Sequence, residues 1–304
     1  MHKLLYVEVV KKNLNINQIE RKQIIYKNNL TSRINRLLDK LLKDENSNNI
    51  NKIKNIIIHT DNSIDELIIS IVSINKLITN TKYTYNKNHI WISDKLIELL
   101  IRFNYTSNIN IVDIGGGEGN ILNYISRSFN IPSNNLFVVE QQQEWAEKYL
   151  FKKNINYLFW NNIDIDIKSD SIDIILIMVS LHHMTDNTIN SLLLNINRIL
   201  KSNGLIIIKE HNCKTMEDIK VIDWEHHLYH ILMSPRNDIN EDTIRNYLLT
   251  FINNYKSIEE YNNIFAKYNF KNILNLNRSF EQYVSNDKYN ATNLYWALYQ
   301  KNSL

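Results

Sequence analysis

The sequence predicts an α/β protein: a doubly wound, seven-stranded, mostly parallel sheet with an antiparallel C-terminal hairpin, preceded by a mostly helical region. Three observations predict it. Four of the chain's 5 glycines fall within five positions, at Gly115, Gly116, Gly117 and Gly119, directly after the β-branched run 109–114. From that run to residue 208, short apolar stretches alternate with stretches of helical spacing, the rhythm of βαβ units. Two more apolar stretches, 270–276 and 293–299, follow with a long polar loop between them, as a closing hairpin requires.

In chain order, residues 2–10 alternate as a strand does. Residues 17–44 carry apolar side chains at helical spacing (Ile34, Leu37, Leu38, Leu41 and Leu42). The polar stretch 45–54 reads as a linker, and Ile56-Ile57-Ile58 as a strand. Residues 64–78 form a helix capped by Asp61 or Ser63, with Glu66 three residues beyond Ser63 as in a capping box. Residues 91–103 form a helix that leads into the glycine strand. The domain boundary therefore falls near residue 85, with an accessory region over 1–85 and the sheet domain over 86–304. There is no internal repeat.

Within the sheet domain, strands are expected at 109–114, 136–139 (ending at Glu140), 155–160, 173–179 and 205–208. Helices are expected at 120–129, 144–151 and 187–200. The run 173–179 is apolar after its first residue, as a strand covered on both faces must be. Gly204 stands where a helix C-cap wants glycine.

Composition bounds the function. The chain has 304 residues with 44% hydrophobic and 22% charged, enough for a sizeable core. No apolar run reaches the roughly 18 residues of a membrane span, and the first residues lack the pattern of a signal peptide. A single cysteine, Cys213, excludes an internal disulfide and a cysteine zinc cluster; a reducing, cytoplasmic setting is expected. Net charge is +3, unevenly spread: residues 1–54 hold twelve Lys and Arg against five Asp and Glu. A basic arm suits a polyanion, and it equally suits a solvated helical surface. His226 and His230 share a helix face, but no third ligand stands at useful spacing, so no metal is expected.

The glycine turn carries the chemistry. Glycines after a strand let the backbone turn sharply and approach a ligand closely. Glu140, 21 residues after Gly119, stands where an acid accepts ribose hydroxyls at the next strand end. The spacing at Gly115, Gly117 and Gly119 is G-x-G-x-G rather than G-x-G-x-x-G, and Asp113 and Glu118 would repel a pyrophosphate. Those acids suit a cofactor with a sulfonium and an amino group, S-adenosylmethionine, over a nicotinamide dinucleotide.

From residue 109 to the C-terminus the sequence resembles the class I S-adenosylmethionine-dependent methyltransferases, with their Rossmann-like fold. Val112-Asp113-Ile114-Gly115-Gly116-Gly117-Glu118-Gly119 matches the first motif, whose backbone holds the methionine part. The resemblance places Glu140 on the ribose, Gln141 beside the adenine, and Asn161-Asn162 where the adenine amino group is read, with Asn in place of the usual Asp. Ser171-Ile172-Asp173 matches the family's Ser-Phe-Asp before strand four, and Leu200-Lys201-Ser202-Asn203-Gly204-Leu205 its lead-in to strand five. Ser180-Leu181-His182-His183-Met184 matches the segment that borders the methyl group, which adds Ser180 to the cofactor contacts.

Acceptor-side candidates stand at the ends of strands four and five: His183, Lys209, Glu210 and His211, with His182 read as structural. Lys209-Glu210-His211 is a polar exit from an apolar strand, expected to point into the cleft. Glu210-His211-Asn212 with Trp224-Glu225-His226-His227-Leu228-Tyr229 resembles RNA-cap methyltransferase modules of large DNA viruses. Lys209 matches one lysine of the ribose 2′-O tetrad, but Ser180 replaces that tetrad's strand-four acid, which argues against 2′-O chemistry. Guanine N7 transfer needs no base. Trp224, Tyr229 and Tyr247 are read as an acceptor lid or as core. The expected acceptor is RNA, with the cap guanine as the specific case. A small-molecule acceptor and an inactive regulatory subunit are the alternatives.

Overall fold

Seven strands form one sheet in the order β3-β2-β1-β4-β5-β7-β6. The computed structural model describes residues 16–61, 63–79, 86–141, 155–277 and 293–302. The strand expected at 2–10 and the helix expected at 144–151 lie outside them. In chain order the elements are α1 (Ile16–Leu41), α2 (Ser47–His59), α3 (Ile64–Leu77), α4 (Asn86–Arg102), β1 (Ile111–Ile114), α5 (Asn120–Phe129), β2 (Leu136–Glu140), β3 (Asn156–Phe159), β4 (Ile172–Met178), α6 (Asp186–Ile199), β5 (Leu200–His211), α7 (Met216–Met233), α8 (Glu241–Thr250), α9 (Ile258–Lys267), β6 (Phe270–Asn277) and β7 (Leu294–Lys301).

The chain divides into two compact units. The larger takes residues 83–214 and 247–304 and holds the sheet. Strands β1 to β5 pair in parallel; β7 pairs antiparallel with both β5 and β6. Apolar side chains cover both faces. Val112, Ile114, Ile175, Ile177, Ile206 and Ile208 pack with Leu192, Ile196 and Phe265 of α6 and α9. Ile111, Ile174, Leu176 and Ile207 pack with Leu96, Leu99, Leu122 and Ile125 of α4 and α5. Strand order reverses at β1, which has β2 on one side and β4 on the other. The crevice beyond their carboxyl ends is the ligand site of open α/β sheets.

The smaller unit takes residues up to 82 together with 215–246, so α7 packs with α1 and α3 although a boundary at residue 85 would assign it to the sheet domain. Its core includes Ile34, Leu38, Ile53, Ile57, Ile71, Val221 and Leu228, all fully buried. Parallel to this core runs a polar seam between α1 and α7. Arg33 meets Asp218 at 2.8 Å, Lys40 meets Glu225 at 2.6 Å, and Asn29 donates to Glu217 at 2.8 Å. Trp224 of α7 is core, edge-on to His227, and Lys40 lies over the Tyr229 ring.

Three local expectations are corrected. The stretch 47–54 is not a linker and Ile56-Ile57-Ile58 is not a strand; both belong to α2. Asn46 caps it by accepting the Asn49 N–H, and Ile53 and Ile57, four apart, are buried on one side. Burial of that side overrides the β preference of three isoleucines. Gly204 is not a helix C-cap. α6 ends at Ile199, and Leu200, already extended, pairs with Ile172, so Gly204 lies inside β5. A Cβ there would come within 2.5 Å of the Leu200 side chain and 3.1 Å of the Asp173 carbonyl oxygen. The ladder is irregular between Ile172 and Ile174 at this close approach.

Candidate cofactor and acceptor site

The glycine turn is built by positive φ. Gly115, Gly117 and Gly119 stand at φ 68, 54 and 66, a region other L-residues enter only at a cost. Gly115 donates to Val139 O at 2.8 Å and Gly119 to Gly116 O at 3.0 Å, so the turn is tied to β2 and closed on itself. α5 starts at Asn120 behind Gly119, which offers no side-chain cap. Three glycines are pressed from within, Gly116 most of all, where a Cβ would lie 2.6 Å from Asp113 Oδ2. A Cβ on Gly119 would lie 2.9 Å from Tyr157 Oη, which itself donates to Glu118 O, and one on Gly115 would lie 3.1 Å from Ser180 Cβ. Gly117 is different: nothing lies within 4 Å of the place its Cβ would take. Its outer side is open to a ligand.

Two acids flank this turn. Glu140, at the end of β2, accepts the Gly117 N–H on Oε1 at 2.5 Å. Its Oε2 accepts no hydrogen bond from the described residues. Burial raises its pKa, and the Gly117 bond works against that rise. Asp113 is fully buried in β1, and neither carboxylate oxygen has a hydrogen-bond partner among the described residues. Burial first, and the Glu140 charge second, push its pKa up to about 8. A cationic group beside these acids would favour their ionised forms. Across from Glu140, Gln141 Nε2 donates to Asn162 Oδ1 at 2.5 Å, joining the ends of β2 and β3. Asn162 stands at φ 68, and Asn161 Oδ1 accepts the Ile163 N–H. Of the residues read for the cofactor, Asp113 and the glycines lie at the end of β1 and in the turn after it, Glu140 and Gln141 at the end of β2, Asn161 and Asn162 after β3, and Ser180 after β4.

The ends of β4 and β5 differ from expectation. Lys209, Glu210 and His211 are all buried, at 6%, 0% and 2% exposure, so this polar exit does not line an open cleft. Lys209 lies over the Trp296 ring of β7. Glu210 accepts the Leu181 N–H on Oε1 at 2.7 Å. Its Oε2 accepts His182 Nδ1–H at 2.7 Å and the His211 N–H at 3.2 Å. Burial raises its pKa; the nearby His211 and the amide donors oppose the rise. His182 is fully buried. His183 is exposed, and its Nδ1 lies 3.3 Å from Ile252 O.

Between the strand end and this segment, Val179 stands at φ 58, where a β-branched residue stores roughly 1–3 kcal/mol. It donates to Lys209 O at 2.7 Å. Ser180 follows, its hydroxyl donating to Ile114 O at 3.2 Å.

One part of the site was legible in the sequence only through Tyr247, offered there as an acceptor lid or as core. The segment before α9 docks on the β4 exit: Asn254 N–H donates to His182 O, and Asn254 Nδ2 donates to Met184 O and Asp186 Oδ1, each at 2.9 Å. Tyr255 brings its ring within 5.3 Å of His182 and 6.2 Å of His211. Phe251 packs edge-on against His183, with Tyr247 beside it. In a chain this rich in asparagine, Asn254 carries no distinguishing signal.

The sequence matches the family described as methyltransferase domain over residues 30–275. The chain belongs to that family. The methyltransferase takes S-adenosylmethionine as its cofactor, and the open face of Gly117, the unshared Glu140 Oε2 and the orphaned Asp113 carboxylate fit that cation. Among solved structures, a chain of the Haloferax volcanii complex between the Trm112 methyltransferase activator and a methyltransferase is similar in fold. That likeness has a TM-score of 0.50 at 15% identity, over 80% of this chain and 99% of that one. An Aquifex aeolicus SAM-dependent methyltransferase gives a TM-score of 0.45 at 13% identity, over 71% and 93%. A Galdieria sulphuraria structure titled as a sarcosine dimethylglycine methyltransferase gives 0.48 at 12%, over 79% and 98%. No curated protein sequence matches.

Proposed function

We propose that the methyltransferase methylates a nucleophilic nitrogen or oxygen of a small molecule that is seated at the carboxyl ends of β4 and β5. The observation that carries this reading is the ring cluster there. Tyr255, Phe251 and His183 stand together over the buried His182 and His211, all supplied by one unit. An apolar, aromatic wall with a few polar atoms is how small-molecule sites are built.

S-adenosylmethionine supplies a methyl group already activated on a sulfonium. The protein's work is then placement, which converts a bimolecular encounter into an aligned displacement. The turn at Gly115, Gly116, Gly117 and Gly119 with Asp113 would hold the methionine part, Glu140 Oε2 the ribose hydroxyls, and Gln141 with Asn161 and Asn162 the adenine edge. Ser180 backs the turn from the β4 side. His183, exposed at the end of β4, is the candidate base for an acceptor that must lose a proton. Lys209, Glu210 and His211 act behind this surface as supports.

RNA stands as the second reading, favoured by exposed Lys43 and Lys52, which make no ion pair among the described residues. It loses support from Arg33 and Lys40, two basic residues of the N-terminal region committed to Asp218 and Glu225. A radiolabelled-methyl assay decides. Purified protein is offered a low-mass metabolite extract in one arm and capped RNA in the other. Label in the metabolite fraction is expected. Label only in RNA, with binding that weakens steeply with salt, would overturn the small-molecule reading. Binding of the demethylated cofactor without label in either arm would point to a regulatory subunit.

A further inference from the structure

Strain at Val179 and the commitments of Glu210 belong to one device. Val179 is β-branched at φ 58, and such a conformation persists only where its surroundings over-determine it. The surroundings are explicit. On its N-terminal side, the Val179 N–H is fixed to Lys209 O. On its C-terminal side, Glu210 takes the Leu181 N–H on one carboxylate oxygen and His182 Nδ1–H on the other. Both flanks of the strained residue are thus held by consecutive residues of β5, with Ser180 in between. Ser180 lies under the first glycine: its hydroxyl donates to Ile114 O, and a Cβ added to Gly115 would lie 3.1 Å from its own Cβ. Any relaxation of Val179 must therefore displace Ser180 against or away from the first glycine of the cofactor turn.

We infer that Glu210 and His182 are positioning residues for the cofactor: they clamp Val179 in its left-handed conformation and so press Ser180 under Gly115. This rests on the cofactor assignment alone and is independent of which acceptor the enzyme uses. It also separates two roles that one carboxylate at a strand-five end could have. A general base must present an oxygen to the acceptor; Glu210 is fully buried and spends both oxygens on the clamp.

The test is calorimetric titration of S-adenosylhomocysteine into the full-length protein, which needs no acceptor. Glu210→Gln keeps an oxygen for the Leu181 N–H but sets an amide NH2 against the His182 and His211 donors. Its affinity is expected to fall 5- to 30-fold, with a cooperative melt retained. Val179→Gly admits φ 58 at little cost, so alone it should bind within twofold of the native protein. Combined with Glu210→Gln it should restore binding to within threefold. Wild-type affinity in Glu210→Gln overturns the inference, and so does a loss that Val179→Gly leaves unrepaired, since a general packing defect would not respond to relief at one backbone angle. If Glu210→Gln does not fold, His182→Gln carries the same comparison, with a 3- to 10-fold loss expected and the same repair by Val179→Gly. Absence of binding by the native protein would instead refute the cofactor assignment itself.

Discussion

Gly117 donates its backbone N–H to Glu140 Oε1 at 2.5 Å, so one carboxylate both tethers the glycine turn and presents its other oxygen outward. Removing it costs two charge-assisted hydrogen bonds when cofactor is bound, each worth about 1.5–3 kcal/mol. Glu140→Ala is therefore expected to weaken S-adenosylhomocysteine binding by about 100-fold or more. Glu140→Gln, which keeps the tether, should lose only about tenfold. Calorimetry checks both, and equal losses in the two variants would remove the ribose role from Oε2.

The glycines pressed from within should tolerate no side chain. Gly115→Ala meets both a φ of 68 and the Ser180 side chain at 3.1–3.2 Å. A destabilisation of roughly 1–3 kcal/mol is expected, together with loss of measurable cofactor binding. Gly117→Ala meets the φ penalty without any protein contact, so it should unfold less readily while binding just as poorly. Urea melts with and without S-adenosylhomocysteine separate the two.

Asp113 makes the sheet unit sensitive to alkali. The folded carboxyl keeps its proton up to about pH 8, because burial and then Glu140 oppose its charge. The unfolded one loses it near pH 4. Between those values the folded state binds more protons, so stability falls as pH rises, by roughly 4–6 kcal/mol over the window. Asp113→Asn should flatten that slope in denaturant melts from pH 5 to 8. Cofactor binding at pH 7 should release a proton, read by titration in buffers of different ionisation enthalpy, and Asp113→Asn should abolish most of that release.

The helical unit should show the opposite slope. His227 is buried, and burial, then the charges of His226 and His230, hold its pKa down to about 3. The unfolded imidazole protonates near 6.5. As pH falls through that interval the unfolded state binds more protons, so stability is lost on the acid side, on the order of 4 kcal/mol in full. His227→Leu should reduce the loss between pH 6.5 and 4 in the α-helical signal.

Arg33 and Asp218 are each 6% exposed at their side chains. Arg33→Ala leaves Asp218 buried without its cation, and a loss of about 3–5 kcal/mol is expected. Replacing the pair together, Arg33→Met with Asp218→Leu, should recover only part of it, because Asp218 Oδ2 also accepts the Thr215 N–H and hydroxyl at the start of α7. If the single change costs under about 1 kcal/mol in urea melts, the pair behaves as a surface contact.

The parallel sheet was legible because strands covered on both faces are mostly apolar, and the runs at β1, β2, β4 and β5 are so apart from Asp113 in β1 and the polar ends of β2, β4 and β5. The cofactor turn was legible because glycine is scarce here: four in a row of five positions cannot be background. What failed was punctuation. Asn46 caps α2 and Asn254 ties down the β4 exit, yet both are lost among asparagines that do neither. Gly204 read as a cap because a cap is the commonest reason for glycine after a helix; its actual neighbours, Leu200 and Asp173 O, are set by sheet register. The polar exit Lys209-Glu210-His211 read as a functional surface because sequence shows charge and not direction. The β5–β7 pairing that buries it involves residues 294–296, over eighty positions away.

The helical unit draws its parts from both sides of the sheet's first five strands. During synthesis α1 emerges with Arg33 and Lys40, but Asp218 and Glu225 leave the ribosome about 180 residues later, tens of seconds at ordinary translation rates. Through that interval the α1–α7 ion pairs cannot form, while β1 to β5 are already available to pair. Nascent α1 can pack on α2 at once, but its ion pairs to α7 form only after the first five strands have been made.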